Sequence, residues 1–248
     1  MDNATYVATS RLVAQQRGMD VMANNIANAG TPGFKAERML FSDWLARQRN
    51  AHTPQGGQAI AFTQDRATYR EMEAGSITRT ANPFDIAIAI ASDGFFTVAT
   101  AQGPRLTRAG RFGLMPDGTV SDATGDALLD TNGKPVQIAQ GDTRITIAGD
   151  GTISSENGQI GKIGIVRPDD PKQLHPEGDR LLRADAATTP VAVPKLVQGA
   201  VEESNVQPVA EMTRMMTGLR EFQFVTQFVQ GEADRQQSAI DKIFARRS

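Results

Sequence analysis

Few residues in this sequence are placed to do covalent chemistry. His52 and His175 are the only histidines. One lies in a polar stretch and the other in Leu174-His175-Pro176, so neither a histidine-based metal site nor a Ser-His-Asp relay has enough parts. Cysteine is absent, which removes disulfides and thiol chemistry without indicating a compartment. Gly149-Asp150-Gly151 lies between strand-like runs and lacks the Lys-Ser/Thr of a phosphate loop, so it reads as a hairpin turn. Asp169-Asp170, flanked by Pro168 and Pro171, could invite a metal, but an acidic pair in a proline-flanked turn is ordinarily solvated. No catalytic, cofactor-binding or metal residue is assigned, and no cofactor is expected. The more informative polar groups are amides. Asn24, Asn25 and Asn28 stand at i, i+3 and i, i+4 spacing, where each can donate and accept to the backbone of the turning chain or of a neighbouring subunit. Three amides near one helix end predict that the helix is fastened to the extended segment beyond it.

Those amides require a helix to carry them, and the spacing of apolar residues supplies one at each end of the chain. Ala8, Leu12, Gln15, Met19, Met22, Ile26 and Ala29 follow an unbroken alternation of four- and three-residue steps. A second seam runs Met212, Met215, Leu219, Phe222, Thr226, Val229, Ala233, Gln236, Ile240, Ile243, over a helix of about 50–60 Å at 1.5 Å per residue. Phe224, Val225 and Phe228 lie off that seam, so this helix has more apolar surface than a single partner covers. Spacing of this kind, sustained over many turns, predicts coiled-coil-like packing with more than one neighbour. Met19, Met22, Met212, Met215 and Met216 add side chains that fill differently shaped gaps. Asp2 or Asn3 can cap the first helix and Thr31-Pro32-Gly33 stops it; Ser204-Asn205-Val206-Gln207-Pro208 opens the second, and Arg246 and Arg247 suit its far end.

Between the ends the period changes to two. Ile86, Ile88 and Ile90 alternate with alanines, and Ile145 and Ile147 alternate with Thr and Ala; Asp-Gly and Asn-Gly pairs at 93, 117, 132, 150 and 157 supply tight turns. The expected fold class is therefore α+β, with long N- and C-terminal helices forming a coiled-coil-like domain and a central all-β domain, a small sandwich or irregular barrel. The boundaries read from sequence are 1–30 with 204–248 for the helical domain, 31–80 for an extended contact segment, and 81–203 for the β domain. Phe84, Phe95, Phe96, Leu106, Phe112, Leu128, Ile138, Ile153, Ile163 and Ile165 are the expected core. Within the contact segment, Leu40, Phe41, Trp44 and Leu45 could form one short amphipathic helix, and Arg47 to Gln58 reads as an exposed loop.

With 248 residues, 40% hydrophobic composition and a formal charge of −2, the chain can build one or two modest cores and has no basic excess for nucleic acid. No stretch approaches the roughly 18 uninterrupted apolar residues of a membrane span. Arg11, Gln15, Gln16 and Arg17 interrupt the N-terminal stretch, so a cleaved secretory signal is not expected.

Ala23-Asn24-Asn25-Ile26-Ala27-Asn28-Ala29-Gly30-Thr31-Pro32-Gly33-Phe34-Lys35 resembles the N-terminal signature of bacterial flagellar rod and hook proteins. Glu202-Glu203-Ser204-Asn205-Val206-Gln207-Pro208-Val209, with Glu211-Met212, resembles their C-terminal signature. Asp85-Ile86-Ala87-Ile88, Asp93-Gly94-Phe95-Phe96 and Thr107-Arg108-Ala109-Gly110-Arg111-Phe112 are further matches, in the same order. A longer Asp85 to Gly94 interval, and Leu106 at a position commonly aromatic, are local departures. Length, opening residues and the modest middle domain resemble a proximal rod subunit most, with a distal rod or hook-type axial subunit as the alternative; from another class, the alternative is a secreted oligomeric β-domain binding module. The resemblance implies a non-enzymatic structural subunit of the axial drive shaft in the periplasmic basal body, exported by the flagellar type III apparatus without a cleaved signal. Its implied partners are copies of itself and other rod subunits, proximal and distal, with no nucleic acid and no direct membrane insertion. The implied assembly interface comprises Leu12, Met19, Met22 and Ile26 of the first seam and Asn24, Asn25, Asn28, Pro32, Gly33 and Phe34 of the first signature. From the C-terminal region it takes Asn205, Pro208, Met212, Met215, Leu219, Phe222, Phe224, Val225, Phe228, Val229, Ile240 and Ile243.

Overall fold

The computed structural model of the protein describes residues 3–46, 60–89, 94–170, 173–178 and 180–245, with side chains for 7–40, 68–89, 94–170, 173–178 and 180–242. Asp2, Ile90, the Arg47–Gln58 loop with His52, Arg246 and Arg247 lie outside the described residues, as do the side chains of Trp44 and Ile243. Two compact units emerge: Met1–Ala27 with Glu37–Glu71 and Gln207–Ser248, and Asn28–Ala36 with Met72–Val206.

The first unit contains helix α1 (Asn3–Ala27), strands β1 (Glu37–Ala46) and β2 (Ile60–Arg70), and helix α2 (Pro208–Ala245). Proline opens α2 because the first helical position has no N–H to satisfy, and Glu211 in the first turn suits the positive dipole end. Strands β1 and β2 form an antiparallel hairpin running from Glu37 opposite Arg70 to Ala46 opposite Ile60, with a bulge at Leu40/Phe41. This corrects the expected short helix at Leu40–Leu45: the segment is strand, paired with β2, whose Ile60, Phe62, Thr63, Thr68 and Tyr69 are β-branched or aromatic. Local spacing alone could not reveal that partner. α1 touches both strands as well as α2.

The second unit is antiparallel β. Its strands are β3 (Ile77–Arg79), β4 (Ile86–Ile88), β5 (Phe95–Thr100), β6 (Gly103–Thr107), β7 (Phe112–Leu114), β8 (Val120–Asp122) and β9 (Ala127–Leu128). There follow β10 (Thr146–Ile147), β11 (Thr152–Ser155), β12 (Gly158–Lys162), β13 (Ile165–Pro168), β14 (Leu174–Glu177) and β15 (Leu181–Ala184). Last come β16 (Thr188–Pro190), β17 (Leu196–Gln198) and β18 (Ala200–Glu202). The main sheet has the order β14-β15-β6-β5-β9-β8-β7, with β13 also beside β5 and β16 beside β13; β10-β11-β12, β17-β4 and β18-β3 are smaller sheets. The expected α+β class therefore holds, with terminal helices in contact and antiparallel sheets between them in sequence.

Strand alternation explains where the core sits. Phe96 and Val98 point to one face of β5 and join a cluster that includes Phe112, Leu128, Ile138, Ile153, Ile163 and Ile165. Phe95 points to the other face, into a smaller cluster with Leu106 and Leu182. Phe84 packs half-buried against the larger cluster. Phe96 and Phe112 meet edge to face, centroids 5.4 Å apart at 84°. Gly110 is required by a close approach, since a Cβ there would lie 1.7 Å from the Ile86 carbonyl oxygen, while the Ile86 N–H donates to the Gly110 carbonyl at 2.8 Å. Gly110→Ala must push β4 from this position, and it is expected to destabilise the β unit by about 3 kcal/mol or more. A fall in urea midpoint at unchanged slope measures this.

Candidate assembly interface

The helix pair carries most of the residues that the sequence singled out. Gln15 Nε2 donates to Glu221 Oε2 at 3.2 Å, and a Cβ on Gly218 would meet Met22 and Met19 at 3.8 and 3.9 Å. Further along α1, Asn25 Nδ2 donates to Glu211 Oε2 at 3.4 Å. Rising numbers in α1 meet falling numbers in α2, so the helices are antiparallel. Extending that register at equal rise in both helices places Asn3 opposite about residue 233 of α2. The remaining turns of α2, to Ala245, have no α1 alongside.

The inward face of α2 differs from the seam expected from sequence. From Glu211 onward, Glu211, Met215, Gly218, Phe222, Val225, Val229 and Glu232 are its buried or half-buried positions among the described side chains, again in four-three steps. Met215, Phe222 and Val229 belong to both lines. Val225, expected off the seam, lies in it, whereas Met212 and Leu219 lie one position aside and are exposed. The reason is chemical: a glycine that admits two methionines and a glutamate with its own cations occupy inward positions, and neither registers as apolar. On α1, Leu12, Gln15, Met19, Met22 and Ile26 are half-buried, while Ala8, Ala14, Gly18 and Asn25 are buried.

The uncovered face of α2 is apolar. Val209, Met212, Met216 and Leu219 form an exposed row at three-four spacing; Phe224, 73% exposed, and Phe228 form a second pair one turn apart. Ile240 is exposed beyond the reach of α1, and Pro208 is exposed at the helix start. Isolated apolar residues on a surface need no explanation, but contiguous rows along one helix mark an interaction site.

The signature amides are used within the chain. Asn25 Nδ2 donates to the Glu37 carbonyl at 2.9 Å and its Oδ1 accepts from the Glu37 N–H at 2.8 Å, so one side chain pairs with a residue of β1 as another strand would. Glu211, 1% exposed, accepts from Arg38 Nη1 and Arg214 Nη1 at 2.6 Å each. Asn24 is exposed, Ile26 half-buried, and Asn28 buried, with its Oδ1 accepting from Thr31 Oγ1 at 3.2 Å.

In the β unit the two signatures meet. Asn205 Oδ1 accepts from the Ala36 N–H at 2.7 Å, and its Nδ2 donates to the Glu73 carbonyl at 3.1 Å. The Gly33 N–H donates to the Glu202 carbonyl at 2.7 Å. Gly33 has φ 72°, and a Cβ there would lie 2.3 Å from Ala109 N. Pro32 is half-buried; Phe34 is packed with Ala36 and Val206. The Glu202 carboxylate accepts from Lys35 Nζ at 2.5 Å, Gly75 N–H at 3.1 Å and Arg108 Nη1 at 3.1 Å. Burial pushes the Lys35 ammonium below its ordinary value, Glu202 restores part of that, and nearby Arg108 adds to the lowering. Lys35, Glu202 and Glu211 all stand within the two signatures, and a charged residue inside each is the sequence clue to these buried pairs.

The groups considered for chemistry lie apart. His175 Nε2 stands 3.3 Å from Asp185 on an exposed strand, Asp169 accepts from Thr189, and Asp150 caps Thr152 in the hairpin turn between β10 and β11. Among the described residues, no three His, Cys, Asp or Glu side chains gather as a metal site, and no helix is long and apolar enough to cross a membrane.

A helix pair with an uncovered apolar face, terminal signatures tied into their own chain and no gathered set of catalytic groups among the described residues are the features of a structural subunit. Comparison with known proteins agrees. Residues 6–35 match the family described as flagella basal body rod protein, residues 197–242 the flagellar basal body rod FlgEFG protein C-terminal family, and residues 89–155 the flagellar hook protein FlgE/F/G D1 domain. The flagellar basal-body rod protein FlgF of Caulobacter vibrioides is 36% identical over 98% of both chains, and that of Mesorhizobium japonicum is 31% identical over 98% of both. The flagellar basal-body rod protein FlgG of Bacillus subtilis is 30% identical over 90% of this chain and 92% of its own. The chain belongs to the flagellar basal-body rod protein family, as a non-enzymatic, FlgF-like structural subunit.

Glu202→Gln leaves Lys35 and Arg108 buried beside a neutral amide, and it is expected to cost the β unit about 3–5 kcal/mol. Chemical denaturation followed by a probe in that unit reads the loss, and an unchanged midpoint would show that the carboxylate contributes little.

Proposed function

We propose that the protein is a subunit of the proximal rod, held to copies of itself and to proximal and distal rod proteins through the uncovered faces of its terminal helices. The observation that carries this reading is the mismatch of the paired helices: α1 has 25 residues, α2 has 38, and α2 keeps apolar rows on the side away from α1. Within the expected interface, Met212, Leu219, Phe224, Phe228 and Ile240 make contacts with neighbours. Leu12, Met19, Met22, Met215, Phe222, Val225 and Val229 shape the helix pair that presents them. Asn25, Gly33, Phe34 and Asn205 act indirectly, by holding the chain's own backbone. A head-to-tail contact of this kind that does not close gives a helical assembly, and torque passes through its packed side chains. Family membership supports an axial position in the periplasmic basal body and export by the flagellum's own type III apparatus.

Two measurements test the reading in the native bacterium. Deleting the gene should abolish hook and filament; intact hooks in the deletion strain would end the proposal. Leu219→Asp and Phe228→Asp, both at exposed positions, should leave the purified chain as stable as the parent within about 0.5 kcal/mol. In the cell they should abolish swimming, because a carboxylate buried at an apolar contact without a partner costs several kcal/mol. Normal swimming halos from both variants would mean that these rows face solvent in the assembled rod.

A further inference from the structure

The second unit holds a cavity of about 440 Å³ whose lining combines cations with apolar side chains. Met72, Phe95 and Leu174 form an apolar wall, Lys35 and Arg108 line it as buried cations, and the exposed Arg167 of β13 joins them. Lys35 is the informative group. An ammonium has three protons to donate. Two go to the Glu73 carbonyl at 2.8 Å and the Glu202 carboxylate at 2.5 Å, and the third has no acceptor among the described residues. The side chain is only 2% exposed, so bulk water reaches it poorly, and a buried donor without an acceptor costs free energy. The cavity is therefore suited to an anionic group carried beside apolar surface.

Such a group stands on this chain's own surface, at the tip of the β7–β8 hairpin. Leu114 and Met115 are each nearly half exposed there, followed by Pro116 and the exposed Asp117. The turn is well fixed: the Met115 N–H donates to the Thr119 carbonyl and the Gly118 N–H to the Met115 carbonyl, both at 2.9 Å. Asp117 Oδ1 accepts from the Thr119 N–H at 2.9 Å, and that bond holds its carboxyl below the ordinary range, so it stays ionised. Gly118 has φ 85°, and a Cβ there would lie 2.3 Å from the Ile138 carbonyl oxygen. A preformed surface of this kind loses little freedom on binding. None of the residues lining the cavity belongs to β7, β8 or the turn between them, and β7 and β14 close the two ends of the main-sheet order. We propose that the tip of one copy, Leu114 to Asp117, seats in the cavity of a second copy, with Leu114 and Met115 against its apolar wall and the carboxylate toward Lys35 and Arg167. Tip and cavity are different surfaces, so the contact is heterologous and repeats head to tail. It belongs to the β unit alone, and it deepens the proposed rod function, on which it rests, by adding a contact to those of the helices.

Cysteine is absent from the chain, so introduced thiols test the contact in the native bacterium. Met115→Cys and Arg167→Cys, both at exposed positions, are expressed singly and together in the deletion strain. Restored swimming shows the subunit in place whichever way the cross-link falls, which keeps this test separate from that of the rod assignment. In assembled rods, a short bismaleimide should join subunits of the double variant into a ladder of dimers and longer chains, and neither single variant should form it. The thiol at position 167 should react with a polar maleimide at least about tenfold more slowly in assembled rods than in the purified chain, because a packed contact excludes water. Met115→Lys should shrink swimming halos more than Met115→Glu, since only the lysine meets like charge in the cavity. A double variant that swims without any ladder overturns the proposal, and so does a thiol at 167 that reacts as fast in rods as in the purified chain. Protection at 167 without a ladder would put a different protein in the cavity and overturns the second-copy contact as well. Equal halos from the two Met115 variants overturn the assigned charge pairing.

Discussion

A helix of 38 residues lies against one of 25, and the shorter cannot cover the longer. The Gln15–Glu221 and Asn25–Glu211 contacts fix the antiparallel register, so the end of α2 and one flank of its first half stay uncovered by α1. The inward line is poor in large apolar groups. It includes Gly218, Glu211 and Glu232, while Met216, Leu219, Phe224 and Phe228 remain outside. Hydrophobic stabilisation scales with apolar area removed from water, so much of what this helix can gain comes only on association. That constraint makes the chain a component of an assembly.

The signatures at the two ends have a different physical task. Asn25 and Asn205 each present an amide to main-chain groups, serving as short substitutes for a neighbouring strand where the backbone turns between elements. Glu202 and Glu211 are buried carboxylates, each with two cationic partners. Buried ion pairs of this kind add little net stability compared with apolar packing, yet they cost heavily when half of the pair is lost. They therefore specify one arrangement of segments distant in sequence. The exposed apolar rows of α2 are then held at fixed positions.

Much of this was legible in the sequence. Helix existence followed from three-four spacing and the opening of α2 from its proline, whereas α1 ends at Ala27, ahead of the expected seam residue Ala29 and the Thr31-Pro32-Gly33 stop; the β character of the middle followed from period-two runs and Asp-Gly or Asn-Gly turns. Most of the expected core, including Phe96, Phe112, Leu128, Ile153 and Ile163, is the core found, because a strand that buries one face must place alternate residues inside. Leu40–Leu45 is strand where a short helix is expected, because its hydrophobic spacing is ambiguous over so short a run and its partner strand lies beyond a polar stretch. The inward line of α2 runs one position from the expected seam at Met212 and Leu219, since apolar type alone does not mark burial. Glycine and glutamate were the residues turned inward.

The sequence alone determined that two long amphipathic helices would flank a turn-rich antiparallel β region, and that their apolar surface would exceed what they could hide. Local periodicity and turn chemistry suffice for that, because they depend on neighbours within a few residues. Tertiary structure decided which face of α2 meets α1, that the contact segment is a hairpin, and that Lys35, Glu202, Arg38 and Glu211 are clamps. Each of those depends on partners far away in sequence, whose approach is set by close packing and by the need of every buried charge for a counterpart.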